Sequence, residues 1–345
     1  MPPSSQASRR YAEALERITP DLELVECSMG EQLPSASELV GAMGEHVLGS
    51  GGKRMRPALL LLSAELCGYT GPRRVHVAAA VELLHTATLL HDDVVDCAEV
   101  RRGRPAAVAL WGNRRAILAG DFLYARASSM IVEDGDLDIL WIFANAIRSM
   151  AEGELLQLER GYDATVTEAH YFAVIERKTA VLLSAACEAG SILAGVTRAE
   201  RRMLEEFGRE LGLAFQLRDD ALDYEASEAE LGKRPYTDLR EGKITLPLLL
   251  ALKRCTATER EAVAALLKSA AQAGDTTPAP GAAPSGDADI APAIELVERY
   301  SGVTDTVRRA EVHAARATAA IAPFREGRAK QDLLAAAAFA VARSL

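Results

Sequence analysis

Two groups of three aspartates close long apolar runs: Asp92, Asp93 and Asp96 in LLHDDVVD, and Asp219, Asp220 and Asp223 in FQLRDDALDY. In each group the first and last residues are four apart, so a helix puts their carboxylates on one face, with the middle one to the side. On a solvated face this is inexpensive, because like charges at that spacing cost ~0.2–0.5 kcal/mol per pair. One such cluster alone is more often plain surface. At the end of an apolar helix, desolvation makes unpaired carboxylates costly. At an intermediate effective dielectric, two charges about 4 Å apart repel by ~4 kcal/mol. Each trio therefore calls for cations. All-carboxylate sites suit hard ions with oxygen ligands, and magnesium typically comes with a phosphate-bearing substrate. Two clusters on separate helices, facing each other across a cavity, would form paired metal sites for a diphosphate.

Basic residues suited to phosphate occur in four places. GSGGKRMRP supplies Lys53, Arg54 and Arg56 before Pro57 at a helix start; glycines allow close backbone approach there and a helix N-terminus favours anions. It is not a nucleotide P-loop, since Lys53 is followed by Arg54 rather than Ser or Thr. Arg101–Arg102 can make bidentate phosphate contacts, ERKTA carries Lys178 and Thr179, and LGKRPYTDLREGKITLP carries Lys233 and Lys243. Any one of these alone is commonly a solvated charge; their weight comes from the company of the acidic clusters.

The elements that must position these groups read as helices. Ala-, Leu-, Glu- and Arg-rich windows without internal proline succeed one another. Four capping boxes are predicted, Ser35/Glu38, Thr165/Glu168, Thr197/Glu200 and Thr256/Glu259. Alternating apolar and polar runs are missing, so no sheet is expected. Residues 75–96 lack Gly and Pro and are apolar nearly all round, as in a helix buried within a bundle. Residues 201–224 form a second long helix, in which Gly208 and Gly212 either admit a close neighbour or mark a loosening. Residues 273–292 are rich in Pro, Gly and Ala and are expected to be a surface loop, since the remainder of the chain, residues 293–345, is too short for a second core. The expectation is one all-α domain over 1–345, with residues 1–35 as an N-terminal segment.

Composition narrows the function classes. The chain has 345 residues, 49% of them apolar, and a net charge of −10. Its pI is near 5.3. That balance and an aromatic content of 5% argue against a nucleic-acid binder. Five scattered cysteines with no CxxC support neither a zinc site nor a disulfide framework and fit a reducing compartment. The first residues carry no apolar stretch of the secretory kind, and no run approaches the ~18 apolar residues that span a bilayer. A cytoplasmic location without stable membrane insertion is expected.

At this point the chain resembles the trans-isoprenyl diphosphate synthases, in their polyprenyl branch. The resemblance is carried by GGKRMRP, LLHDDVVD…RRGRPA, AGDFLYARA, KTA, FQLRDDALDY and GK…DLREGKITLP, in that order, and runs from about residue 40 to the end of the chain. It implies an antiparallel helix bundle of the isoprenoid synthase type around a central cavity, and a homodimer. In this family an allylic diphosphate ionises, its cation attacks the double bond of isopentenyl diphosphate, and a proton is lost, each cycle adding five carbons. Asp92, Asp96, Asp219 and Asp223 would hold magnesium, three ions with substrate bound, and Asp93 and Asp220 would support them from behind. Arg101, Lys178 and Lys233 would touch the allylic diphosphate, with Lys243 nearby. Thr179 and Gln216 would face the nascent cation. Lys53, Arg56, His85 and Arg102, with Gly52, would cradle isopentenyl diphosphate. Released diphosphate is the implied proton acceptor, so no side-chain base is required, and His91 is read as structural.

Product length is implied by the same resemblance. An aromatic four or five residues before the first aspartate blocks the tunnel in short-chain members, whereas Ala87 and Thr88 stand there in this chain and no aromatic occurs from Val75 to Val95. A long-chain product is expected, its depth set by Leu84, Val81 and residues near Phe143 and Met150. One departure is Tyr236, where many relatives have Gly, and Arg218 before Asp219 is another unusual choice. Among rivals, a terpene cyclase would lack GGKRMRP, and a phosphohydrolase would need more suitably spaced histidines than the six present. A non-catalytic partner subunit would tend to lose aspartates from one cluster.

Overall fold

The computed structural model describes residues 3–35, 37–49, 51–101, 103–225, 235–274 and 290–343. Helices dominate: α1 (Pro3–Arg17), α2 (Thr19–Gly30), α3 (Glu38–Leu48), α4 (Met55–Leu66), α5 (Arg73–Val95), α6 (Ala107–Trp111), α7 (Asn113–Asp134), α8 (Leu137–Glu159), α9 (Glu168–Ile175), α10 (Val181–Leu193) and α11 (Arg198–Glu225). They continue with α12 (Thr237–Arg240), α13 (Leu246–Arg254), α14 (Ala257–Gly274), α15 (Ala291–Arg299), α16 (Gly302–Ala320) and α17 (Arg328–Ala342). A π-helical turn, Glu176–Ala180, joins α9 to α10.

Some local expectations need correction. A small antiparallel ribbon, β1 (Val100–Arg101) with β2 (Arg104–Pro105), exists where no strand was expected. The boxes at Thr197/Glu200 and Thr256/Glu259 form reciprocally. The other two do not. Thr167 caps α9 through the His170 N–H, while Thr165 is taken by Asp163. Ser37 is the N-cap of α3 without a side-chain bond, and Ser35 Oγ instead accepts from the Ser37 N–H. The expected loop begins later and ends earlier than 273–292, because α14 runs through Gly274 and α15 starts at Ala291; residues 275–289 lie outside the described ones.

The apolar residues gather into two cores. The larger draws on α1, α4, α5, α7, α8, α10, α11 and α17. The smaller gathers Tyr171, Leu213, Leu217 and the leucines of α13 with Ala293 and Leu296 of α15. Helix α11 serves both: Leu204, Phe207, Leu211 and Ala214 face the first, Leu213 and Leu217 the second. The second aspartate cluster therefore sits where the cores meet. Gly208 and Gly212 bring α10 and its preceding turn against α11, since a Cβ on them would lie 2.6 Å from Leu183 O and 2.5 Å from Ala180 Cα. Close approach, not loosening, is their use. On the other side of the turn Gly153 plays the same part, its added Cβ falling 3.0 Å from Lys178 N. Packed from both sides, the turn holds its wider winding and presents Lys178 and Thr179 to the interior; such π-bulges recur at functional sites.

Candidate active site

The first cluster lies on the last turn of α5 and just beyond it. Asp93 is buried, 3% exposed, and accepts a short hydrogen bond from Arg101 Nε of β1. The ribbon thus has a task, which is to fold Arg101 back over its own cluster. Burial pushes the Asp93 carboxyl up, although Arg101 pulls it down. Asp92 stands beside it on the cavity wall, its carboxyl pushed up to about 6, first by burial, with Lys178 opposing and Glu154 and Asp96 adding. Asp96 accepts from Lys243 Nζ at 3.1 Å, and Lys243 also meets Glu241 at 2.7 Å. Burial disfavours the Lys243 charge, but Glu241 and Asp96 more than offset this and hold it above the ordinary lysine value. Lys178 Nζ pairs with Glu154 and lies 3.3 Å from Gln157 Oε1.

The second cluster divides its work. Asp219, half-exposed, lies 2.7 Å from Nη2 of buried Arg343, whose guanidinium carbon is 3.6 Å from the Phe215 ring centre. Asp220, 1% exposed, accepts from Gln216 Nε2 at 2.8 Å and from the Tyr171 hydroxyl. Burial raises its carboxyl well above the usual range, and Asp238 adds to this. Asp223 Oδ2 accepts the Asp238 N–H at 3.1 Å, and its backbone oxygen accepts the Tyr236 N–H at 3.0 Å. Asp223 thus builds the turn into α12 and is not among the residues that line the two cavities. Tyr236 does take the left-handed conformation, φ 60°, at a cost of ~1–2 kcal/mol, and its ring packs edge-on to Tyr224 at 5.7 Å.

Two adjoining cavities share Asp92, Lys178, Thr179 and Gln216. The smaller, about 220 Å³, also exposes Asp96, Asp220, Asp238 and Lys243. The larger, about 580 Å³, is lined by Gly52, Lys53, Arg56, His85, Arg101, Asp219 and Arg343, with Thr88, Leu89, Met150 and Leu182 as its apolar part. Lys53 Nζ lies 5.7 Å from the Phe215 ring centre and 5.6 Å from that of Phe339. Arg54, between Lys53 and Arg56, also borders this cavity but has its guanidinium tied to the protein. It holds φ 42° and donates to Glu26 (3.0 Å), Glu82 (3.1 Å) and Leu48 O (3.0 Å). Thr179 Oγ1 donates to Gln216 Oε1 at 2.8 Å, placing both oxygens on the shared wall.

Of the chain-length candidates, Thr88 lines the larger cavity, while Ala87 and Leu84, each 1% exposed, are packed behind it with Phe143. Arg102 and Lys233 lie outside the described residues. His91 takes a structural place against α7, where a Cβ on Gly120 would come within 2.3 Å of its Nε2. Sequence reasoning missed Glu154, Gln157, Tyr171, Asp238 and Arg343. Tyr171 and Asp238 stand within seven and five residues of two that it named, Lys178 and Lys243; the others offer no local signal.

A helical bundle that collects carboxylates, lysines and a Thr–Gln oxygen pair around an apolar-backed cavity defines an isoprenoid-synthase-type enzyme. The model of the Polyprenyl synthetase family matches residues 37–279, and the chain belongs to that family. It is 39% identical to octaprenyl diphosphate synthase of Escherichia coli (strain K12) over 94% of this chain and 96% of the relative. Among solved structures it is similar to the polyprenyl synthase of Caulobacter crescentus CB15 complexed with calcium and isoprenyl diphosphate. That likeness has a TM-score of 0.87 at 40% identity, covering 96% of this chain and 98% of the other. A decaprenyl diphosphate synthase from Rhodobacter capsulatus gives a TM-score of 0.86 at 37% identity, with coverages of 96% and 98%. The chain is a prenyltransferase that builds trans-polyprenyl diphosphates by head-to-tail condensation.

The family depends in general on magnesium. Among the described residues no three His, Cys, Asp or Glu side chains are already drawn into a metal cage. The donor chemistry nevertheless fits: Asp92, Asp96 and Asp219 offer only oxygen, and burial leaves Asp92 short of positive charge.

Proposed function

We propose that the larger cavity, with its Lys53, Arg56 and His85, receives isopentenyl diphosphate, and that the smaller receives the diphosphate of the allylic substrate. The observation that carries this is the shared wall. Asp92, Lys178, Thr179 and Gln216 border both cavities, so the two substrates would meet there. Asp92, Asp96 and Asp219 would hold magnesium, with three ions in the loaded site; bound, the metal neutralises charge developing on the departing diphosphate. Lys178 and Lys243, with Lys233, would bind that diphosphate directly, Arg101 would reach it from the larger cavity past the shared wall, and Arg102 would join the isopentenyl cradle. Thr179 Oγ1 and Gln216 Oε1 turn their oxygens to the carbon left electron-poor when the C–O bond breaks. Asp93 holds Arg101, Asp220 holds Gln216, and Asp223 shapes the turn that carries Asp238.

The product is a long-chain prenyl diphosphate. Relatives named octaprenyl and decaprenyl diphosphate synthase support this, as does the small lining at Thr88. Residues 1–345 act as one unit, in the cytoplasm, and no helix among the described residues is long and apolar enough to cross a membrane. A homodimer is supported by an exposed stripe on α8, where Leu137, Trp141, Ala144, Ala151, Leu155 and Leu158 recur mostly at three- and four-residue steps; Leu118 and Val132 of α7 are exposed as well. Single exposed hydrophobics are ordinary, but a continuous seam asks for a partner helix.

The purified protein alone, given magnesium, isopentenyl diphosphate and farnesyl diphosphate, should release diphosphate and yield a ladder ending at a long-chain product after dephosphorylation and chromatography. No release from the lone protein would favour the partner-subunit role instead.

A further inference from the structure

The hydrogen-bond chain that ends at Thr179 is oriented from its far end. Thr179 donates to Gln216 Oε1 and Gln216 Nε2 donates to Asp220 Oδ1, each at 2.8 Å, and the Tyr171 hydroxyl donates to Asp220 Oδ2. A primary amide is nearly symmetric in shape, so its neighbours decide which way it points. Asp220 Oδ1 accepts the amide N–H, and with the NH2 end held there the carbonyl oxygen is left facing Thr179. The carboxylate must itself be kept from rotating. Tyr171, 4% exposed on α9, occupies its second oxygen and is otherwise surrounded by the smaller apolar core, where its hydroxyl would cost free energy without that partner.

We propose that Tyr171 is a positioning residue for the condensation: through Asp220 it fixes the Gln216 amide with its oxygen toward the ionising carbon. The Tyr171 ring borders the smaller cavity, but its hydroxyl is given to Asp220, and it acts through that carboxyl. The inference rests on the proposal that Thr179 and Gln216 face the cation. Oxygen dipoles held in place before charge develops contribute only in the transition state, so their loss appears in kcat rather than in binding.

The test is Tyr171→Phe, which keeps the ring and removes the donor, compared with Gln216→Ala and the double variant, each checked for a cooperative thermal unfolding transition. Tyr171→Phe should lower kcat about 10-fold, less than the ~10²–10³-fold typical of a lost direct contact, with KM for both substrates within about 2-fold of wild type. In the Gln216→Ala background it should cause no further loss. An unchanged kcat in Tyr171→Phe beside a strongly impaired Gln216→Ala overturns the proposal and leaves the site assignment standing. An unimpaired Gln216→Ala removes the site assignment and the proposal with it. A full additional loss in the double variant shows that the hydroxyl acts elsewhere, and overturns the proposal as well.

Discussion

Lys243 Nζ lies 3.1 Å from Asp96 Oδ1, an ion pair that spans 147 residues of sequence and joins the first aspartate cluster to the segment after α12. On the proposed assignment the ammonium occupies the carboxylate that a divalent cation would bind, so the two would compete in the ligand-free protein, and Lys243 would turn to the diphosphate once substrate arrives. Lys243→Met should therefore tighten magnesium binding to the free enzyme several-fold by calorimetric titration. The same variant should raise KM for the allylic substrate about 10–100-fold. Weaker magnesium binding would place Lys243 outside this competition.

The Asp92 carboxyl gives a pH dependence of definite sign. Its pKa is raised from 3.8 to about 6, by burial first. The folded state thus binds the proton more tightly than the unfolded chain, so this group stabilises the metal-free protein below pH 4 and loses that contribution as pH rises through 6. The difference in Tm between wild type and Asp92→Asn should change across that window and flatten outside it. Added magnesium, which needs the ionised carboxylate, should raise Tm more at pH 7.5 than at pH 5; a hundredfold excess over Kd corresponds to about 2.7 kcal/mol. Equal shifts at both pH values would remove Asp92 from the metal site.

Gly212 connects packing to chemistry. A methyl there meets Ala180 Cα at 2.5 Å, at the end of the π-helical turn that carries Lys178 and Thr179. Gly212→Ala should destabilise by about 1–3 kcal/mol in denaturant unfolding and also lower kcat, because the turn must shift. Gly51→Ala, in open space but at φ 71°, should destabilise through backbone strain alone. A Gly212→Ala enzyme with full activity would show that the turn's position is not critical.

Thr88 offers the direct test of product length. It lines the larger cavity near Met150, whereas Ala87 is 1% exposed and packed behind it. Thr88→Phe should shorten the product by several five-carbon units with little change in the first condensation. Ala87→Phe should also shorten it, at the additional cost of overpacking the core. Chromatography of the dephosphorylated products distinguishes these outcomes, and an unshortened product from both variants would place the tunnel elsewhere.

Features under the control of local spacing were legible in the sequence. Asp92 and Asp96, four apart at the end of α5, needed only helical geometry to be paired, and the Thr197 and Thr256 boxes needed only their own four residues. The capping expectation failed at Thr165 because Asp163 competes for that hydroxyl and leaves Thr167, two residues later, as the better cap. The partners that set the electrostatics come from elsewhere in the chain: Glu154 from α8, Asp238 from α12, and Arg343 beyond α17. No local pattern announces them, since each is one charged residue among many until the helices pack. The same holds for Glu26 and Glu82, which pair with Arg54 at the rim of the larger cavity and could not be matched to it from spacing.

On the proposed reading the two aspartate clusters grip one diphosphate through divalent ions. This is tested most directly by a crystal structure with manganese and an unreactive allylic thiodiphosphate. Anomalous peaks are expected about 2.1 Å from oxygens of Asp92 and Asp96, with a further peak on Asp219 and the diphosphate between them against Lys178 and Arg101. Metal peaks away from these carboxylates, or a diphosphate seated elsewhere, would contradict it.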